Sequence, residues 1–357
     1  MDGAAAITGI HHLTAVCADA QRTVSFYTGI MGLRLVKQTV NFDDPGAYHL
    51  YFGNEAADPG SLLTFFEWPN AARGHTGIGT THHVAFETVT AATQDRWKRW
   101  LTDNGVKVSG PYDRVYFRSI YFQDPDGLII EIATRGPGWS VDEAPDALGQ
   151  ELRPPPVETT AGHRDEAAIA AVTWPEPVAE IDAEMRLERM HHITFMASDA
   201  ERTMAYYAET LGMRPLKRTV NFDDPTSPHL YVGVGDGAPG TVITWFGYQP
   251  GTRPRGAVGR GMTHHFALNV ANEDAQRAWQ ERLAEAGVTT TEVLDRQYFK
   301  SIYFNDPDGH ILEIATAGPG FATDEDPAHL GEALRLPAWL EADRATIASR
   351  LRPLAVG

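Results

Sequence analysis

Hydrophobic positions along this chain change period in a fixed succession, and the succession occurs four times. In its first pass an apolar run opens at residue 10. A stretch of helical period follows, with Val24, Tyr27 and Met31 on one stripe and Asp19 placed to cap a helix running to Leu33. Apolar runs at 35–41, 48–52 and 62–66 then read as strands. The second pass predicts a strand at 83–87 and a helix at 92–103 with Trp97, Trp100 and Leu101 inward. A stop at Gly105 and closing strands at 115–122 and 128–133 complete it. Helices mixed with antiparallel hairpins indicate an α+β fold of βαβββ modules rather than a doubly wound sheet.

The third and fourth passes copy the first two. His12 returns as His192, and Asn41-Phe42-Asp43-Asp44-Pro45 as Asn221-Phe222-Asp223-Asp224-Pro225, 180 positions on. Glu131 returns as Glu313, 182 positions on, and two inserted residues near 253–260 account for the change. The expected organisation is a first domain over 1–149 (modules 10–70 and 80–135), a linker over 150–187 and a second domain over 188–333 (modules 190–250 and 262–316). A helical tail follows over 334–357. The linker holds Pro154-Pro155-Pro156, much Ala and Glu and few aromatics, the composition of a loosely ordered segment. The tail has the pattern of an amphipathic helix packed on the second half.

Composition narrows the function classes. A length of 357 residues and 43% hydrophobic content suit two ordinary cores. A net charge of −17 argues against nucleic acid or an anionic membrane as partner. The single cysteine, Cys17, excludes an intramolecular disulfide framework. Met1-Asp2-Gly3-Ala4 shows no leader pattern, and no run reaches the roughly 20 apolar residues of a spanning helix. A cytoplasmic enzyme fits, and a homo-oligomer is compatible with it.

Each module opens on a histidine pair: His11-His12, His82-His83, His191-His192 and His264-His265. One such histidine would read as a satisfied core residue. Four in equivalent strand positions point to metal ligation, for which neutral imidazole is the commonest ligand. The second signal is a glutamate among aliphatic residues, Glu131 and its copy Glu313. The preceding Asp124-Pro125-Asp126-Gly127 forms a three-residue hairpin loop, and the count from it sets Tyr121 across from Glu131 and Tyr303 across from Glu313. A buried carboxylate needs a compensating charge. Arg118 or Lys300 is one candidate; a metal is the other, and it also explains the histidines. Two His and one carboxylate with open positions is the facial set of non-haem Fe(II) oxygenases, and Mn(II) also fits.

The four modules with leading histidine and closing glutamate resemble the vicinal oxygen chelate superfamily of glyoxalases, extradiol dioxygenases and fosfomycin- and bleomycin-resistance proteins. Glyoxalases carry a further glutamate on the last strand of the first module. Here 62–66 and its copy 242–246 carry none, and Glu67 is replaced by Gly247 in the copy. Over nearly the whole chain outside the linker, the blocks around His11-His12, 34–45, Tyr48-His49-Leu50-Tyr51, 295–304 and 312–316 are similar to hydroquinone-type ring-cleaving dioxygenases. That resemblance implies metal ligation by His12, His265 and Glu313, with His11, Thr14, His264, Arg296 and Tyr303 around a small aromatic substrate and O2. Tyr303 and His264 would move protons, and Arg296 would offset developing negative charge. Many members lack the middle histidines. This chain keeps His83, His192 and Glu131, with Arg114, Tyr121, His82, His191 and Thr194 as a second set. Spacing also allows His12 to join His83 and Glu131; the resemblance favours pairing the first module with the last. A glyoxalase-like isomerase or lyase, and a binding protein of the bleomycin-resistance type, are the alternatives.

Overall fold

The structure, a computed structural model, describes residues 6–249 and 251–355; the leader reading of Met1-Asp2-Gly3-Ala4 concerns residues outside them. The first half contributes β1 (Gly9–Cys17), β2 (Arg34–Asn41), β3 (Asp44–Gly53), β4 (Leu62–Glu67), β5 (Thr81–Thr88), β6 (Ser109–Asp113), β7 (Arg118–Gln123) and β8 (Ile129–Thr134). The second contributes β9 (Met190–Ala197), β10 (Arg214–Asn221), β11 (Asp224–Gly233), β12 (Val242–Gly247), β13 (Thr263–Val270), β14 (Leu294–Asp295), β15 (Lys300–Asn305) and β16 (Ile311–Thr316). The helices are α1 (Ala20–Val24), α2 (Ala91–Asp103), α3 (Glu166–Ala171), α4 (Ala200–Glu209), α5 (Glu273–Glu285) and α6 (Arg344–Arg350).

These strands form two eight-stranded sheets, and each sheet takes a module from either half. In one, β1 pairs antiparallel with β13, joining the first module to the last; in the other β5 pairs with β9, joining the middle two. Within a module the first strand runs parallel to the last, His12 beside Leu62 and Phe266 beside Leu312. The outer sheet faces pack on the helices through Trp97, Leu101, Met204, Tyr207 and Trp279, all buried. Asp19, Thr90, Asp199 and Asn272 cap the main helices through side-chain oxygens. Cys17 is buried within β1.

Three expectations change. The first helix does not run to Leu33: α1 gives way to a π turn over Ser25–Ile30. Thr23, Ser25 and Thr28 donate to carbonyls four residues back at 2.9, 2.9 and 2.8 Å, bonding that bends helices. The copy has Ala205 and Ala208 in place of Ser25 and Thr28 and stays regular. The tail is not one helix, because Pro337 interrupts it; only α6 forms, and it packs on β3 of the first half. Tyr48 donates to the carbonyl of Arg352 at 2.9 Å. The linker is packed rather than loose: Leu152 bridges to Arg218, α3 lies against β6, and Met185 is fully buried.

Candidate metal centre and cavity

The sheet pairing decides which histidines meet. His12, His265 and Glu313 converge in the first sheet; His83, His192 and Glu131 converge in the second. Each triad therefore draws on both halves. In the first, Oε2 of Glu313 lies 3.3 Å from Nε2 of His12 and 3.1 Å from Nε2 of His265, and the two nitrogens are 3.4 Å apart. In the second, the corresponding distances are 3.5 Å to His192, 2.8 Å to His83 and 3.3 Å between nitrogens. Two atoms about 2.1 Å from one cation, at a right angle, stand about 3 Å apart. The edges of both triads are of that size.

The carboxylates supply the test of fit. Glu313 and Glu131 are 0% exposed, and Oε2 of each lacks a hydrogen bond of good geometry. The other oxygen is satisfied: Ser301 donates to Oε1 of Glu313, and Ser119 to Oε1 of Glu131 at 2.5 Å. The cationic alternatives are engaged elsewhere, Arg118 with Asp95 and Lys300 with Asp295 at 2.5 Å. Burial raises each glutamate's proton affinity, yet the facing imidazoles hold both well below the usual carboxylate range. Burial in turn lowers His83 and His265. Two imidazoles and a charged carboxylate on one point suit a divalent cation.

Each triad histidine is held by the histidine before it. Nδ1 to Nδ1 distances are 2.9 Å for His11 and His12, 2.8 Å for His82 and His83, 2.9 Å for His191 and His192, and 2.8 Å for His264 and His265. A ligand using Nε2 keeps its proton on Nδ1 and donates it. The preceding histidine must then accept at Nδ1 and carry its own proton on Nε2. Burial lowers His11, His82, His191 and His264 to about 3, so all four are neutral.

A cavity of about 380 Å³ opens before the first triad, within the range of small-molecule sites. Phe66, Trp68 and Phe299 give it apolar walls; His264, Arg296 and Tyr303 give it polar ones. The predicted strand at 115–122 starts only at Arg118, and its copy, on the wall of this cavity, only at Lys300. Residues 114–117 form a turn in which Arg114 N donates to Phe117 O at 2.9 Å and Val115 takes φ 67°, and the copy places Gln297 at φ 67°. A positive φ at a β-branched residue is strained. Asp113 offsets it by accepting from Val115 N at 2.7 Å, and Asp295 from Gln297 N at 2.7 Å. The turn brings Arg296 and Phe299, and Arg114 and Phe117, to the mouths of their triads.

Tyr303 pairs with Glu313 and Tyr121 with Glu131 across the hairpins, in the register counted from the sequence. Arg296 donates from Nε to the Tyr303 hydroxyl at 3.3 Å and pairs with Asp43 at 3.1 Å. His11 and Thr14 stand behind the triad rather than on the cavity: His11 packs 4.9 Å from the Phe299 ring, and Thr14 shares a 2.8 Å hydrogen bond with Thr64. His191 packs likewise on Phe117, while the Thr194 hydroxyl lies 2.9 Å from Nε2 of His83. His82 meets the edge of Phe246. Glu67, the nearest substitute for a glyoxalase ligand, accepts from Ala20 N at 2.9 Å instead. Ser301 and Ser119 do not stand out in the sequence, although each lies two residues before its tyrosine on the same strand face. Neither does His49, which lines the cavity between Tyr51 and Thr64 with hydrogen bonds of 3.1 and 2.9 Å.

A model of the Glyoxalase/Bleomycin resistance protein/Dioxygenase superfamily matches residues 9–132 and 189–314. The chain is 33% identical over 354 residues to a Bacillus subtilis (strain 168) protein named "Putative ring-cleaving dioxygenase MhqO", covering 98% of this chain and 97% of that one. It is 28% identical over 341 residues to the chlorohydroquinone/hydroquinone 1,2-dioxygenase of Sphingobium indicum, covering 94% and 93%. The crystal structure titled "putative dioxygenase" from Bacillus subtilis superposes with TM-score 0.79 at 32% identity over 99% of both chains. Glyoxalase I from Zea mays shares the fold at TM-score 0.56 and 18% identity, over 87% and 92% of the two chains. Among the described residues no helix is long and apolar enough to cross a membrane.

Proposed function

This chain belongs to the Glyoxalase/Bleomycin resistance protein/Dioxygenase superfamily, and we propose that it is a metal-dependent dioxygenase that cleaves the ring of a hydroquinone-type dihydroxybenzene at the His12/His265/Glu313 centre. The observation that carries the reading is the orphaned, fully buried Oε2 of Glu313 between two imidazoles at the floor of an aromatic-walled cavity. Relatives named as ring-cleaving dioxygenases over almost the full length support it. In a 1,4-diol no ring bond joins two hydroxylated carbons. Cleavage beside one hydroxyl, the extradiol-type outcome, is therefore the pattern proposed. Fe(II) is the proposed metal and Mn(II) the alternative.

Bound by this triad, Fe(II) supplies a positive charge that favours the phenolate of the substrate and redox chemistry toward O2. The protein does the rest. Phe66, Trp68 and Phe299 enclose the ring and exclude water. Tyr303 is held protonated by burial and by the neighbouring Glu313 charge. Its oxygen accepts from Arg296, so its own proton is free to be donated into the cavity. His264, neutral with its proton on Nε2, is a second donor. Arg296, anchored by Asp43, places a fixed positive charge where negative charge develops.

The test is O2 uptake by anaerobically Fe(II)-loaded protein with hydroquinones and catechols. We expect stoichiometric consumption and a ring-opened product with the hydroquinones. Glu313→Ala should lose the metal at that centre together with turnover. Full metal content at that centre in Glu313→Ala, or no O2 uptake with any such ring, would refute the reading.

A further inference from the structure

The two triads carry one ligand set, yet the space before them differs. The cavity at the first holds about 380 Å³ and that at the second about 20 Å³. The smaller admits a water molecule and no aromatic ring. The walls do not explain this. Arg114, Phe117, Tyr121 and Phe222 stand where Arg296, Phe299, Tyr303 and Phe42 stand.

The difference lies in the segment C-terminal to each half. The halves stay in step as far as Leu152 and Leu334, which bridge in parallel to Arg218 of β10 and Gln38 of β2. Then they part. After Leu334 the chain sets Trp339 on the edge of Phe42 and leaves the mouth open. After Leu152 it folds back across the second mouth. Ala161 N donates to Phe222 O at 2.8 Å, and Nη1 of Arg164 pairs with Asp223 at 2.7 Å. The Arg164 guanidinium lies 4.1 Å from the Tyr112 ring centroid, where the other half has Leu294. Arg114 closes from the other side, 2.9 Å from Asp223 and stacked over Phe222 at 5.3 Å. Phe222 is 2% exposed as a result, whereas Phe42 stays partly exposed.

Nevertheless, Glu131 needs a cation as much as Glu313 does. It is fully buried, and its Oε2 lacks a good hydrogen bond. Metal sites whose surroundings are filled by protein are structural, and those with an open position are catalytic. We propose that His83, His192 and Glu131 form a closed, structural metal site, and that the linker over 152–164 is the strap that shuts it. Ring cleavage is left to His12, His265 and Glu313, so this inference rests on the function proposed for that centre. A metal held by His83 and Glu131 of one half and His192 of the other ties the middle two modules together.

The full chain would be loaded with Fe(II) without O2 and titrated with 4-nitrocatechol, a ring-sized chromophore that chelates open iron. The expected result is two irons and one bound probe per chain. Glu313→Ala should keep one iron and bind no probe; Glu131→Ala should keep one iron and bind one. Adding Arg164→Ala to Glu313→Ala should admit the probe. Probe binding by Glu313→Ala as tight as by wild type, or loss of both irons in it, would overturn the closed site. Continued exclusion after Arg164→Ala would overturn the role of the strap. A wild-type chain with no iron would instead sink the reading of the first centre. One iron that Glu131→Ala leaves in place would sink only this inference.

Discussion

Replacing Ser301 by Ala removes one oxygen from a site that is 0% exposed. Its hydroxyl is the donor to Oε1 of Glu313, and the other carboxylate oxygen faces His12 and His265 at 3.3 and 3.1 Å. A hydrogen bond to a charged group contributes about 1.5–3 kcal/mol. The void left by one oxygen is too small for a water molecule to restore it. Oε1 is then unsatisfied, the carboxylate gains proton affinity, and its plane is free to turn. Partners of this kind tune metal affinity by roughly 10–100-fold. At about 1.4 kcal/mol per tenfold, that range matches most of the lost bond. The assay is competition for Fe(II) between protein and a chelator of known affinity, at fixed pH and without O2. We expect weaker binding at the first centre by at least tenfold, with kcat per bound metal much less affected. A dissociation constant within twofold of wild type would show that the serine is only a packed strand residue.

Tyr303→Phe should keep fold and metal content and lower kcat by roughly 10²-fold or more, with KM little changed, the scale of a lost general acid; unchanged kcat in O2 uptake would remove Tyr303 from proton transfer. Asp124 offers a pH signature away from both triads. Burial raises it to about 6, against three backbone donors and the Tyr27 hydroxyl. The folded state then binds more protons than the unfolded one between about pH 4 and 6. Its contribution to stability is therefore present below pH 4 and falls as pH rises through 6, by about 3 kcal/mol at most. Asp124→Asn should flatten that part of the unfolding free energy measured by urea titration; an identical pH profile would contradict the shift.

Much of the fold could be read from the chain because the information was local and repeated. The Asp-Pro-Asp-Gly loop alone sets the register, and the structure pairs Tyr303 with Glu313 as counted. The late start of strand 115–122 at residue 118 was not readable, because it depends on a positive φ at Val115, a conformation that a β-branched residue does not advertise. Ser301 escaped notice because a serine in a strand has many uses, and only the orientation of Glu313 selects one. The buried Lys37 and Lys217 escaped for a related reason. Their partners, Asp324 and Glu325, and Asp142 and Glu143, lie far along the chain in loops.

The crossed pairing also explains why the first and last modules can differ from the middle two without loss of the fold. Each sheet is held by one antiparallel seam, β1 with β13 or β5 with β9, and each seam carries two triad histidines on facing strands. Substitution along one seam leaves the other's triad in place. The two centres can therefore diverge independently, one toward an open cavity and the other toward closure. The linker acts on the second alone: it leaves the first half after β8, the strand of Glu131, and crosses the mouth of that same site. In a chain where each half kept its own triad, a strap of this kind would cover the half it had just left. Here Arg164 instead reaches Asp223 of the second half while its neighbour Tyr112 belongs to the first, so closure of the mouth and docking of the halves are one contact set.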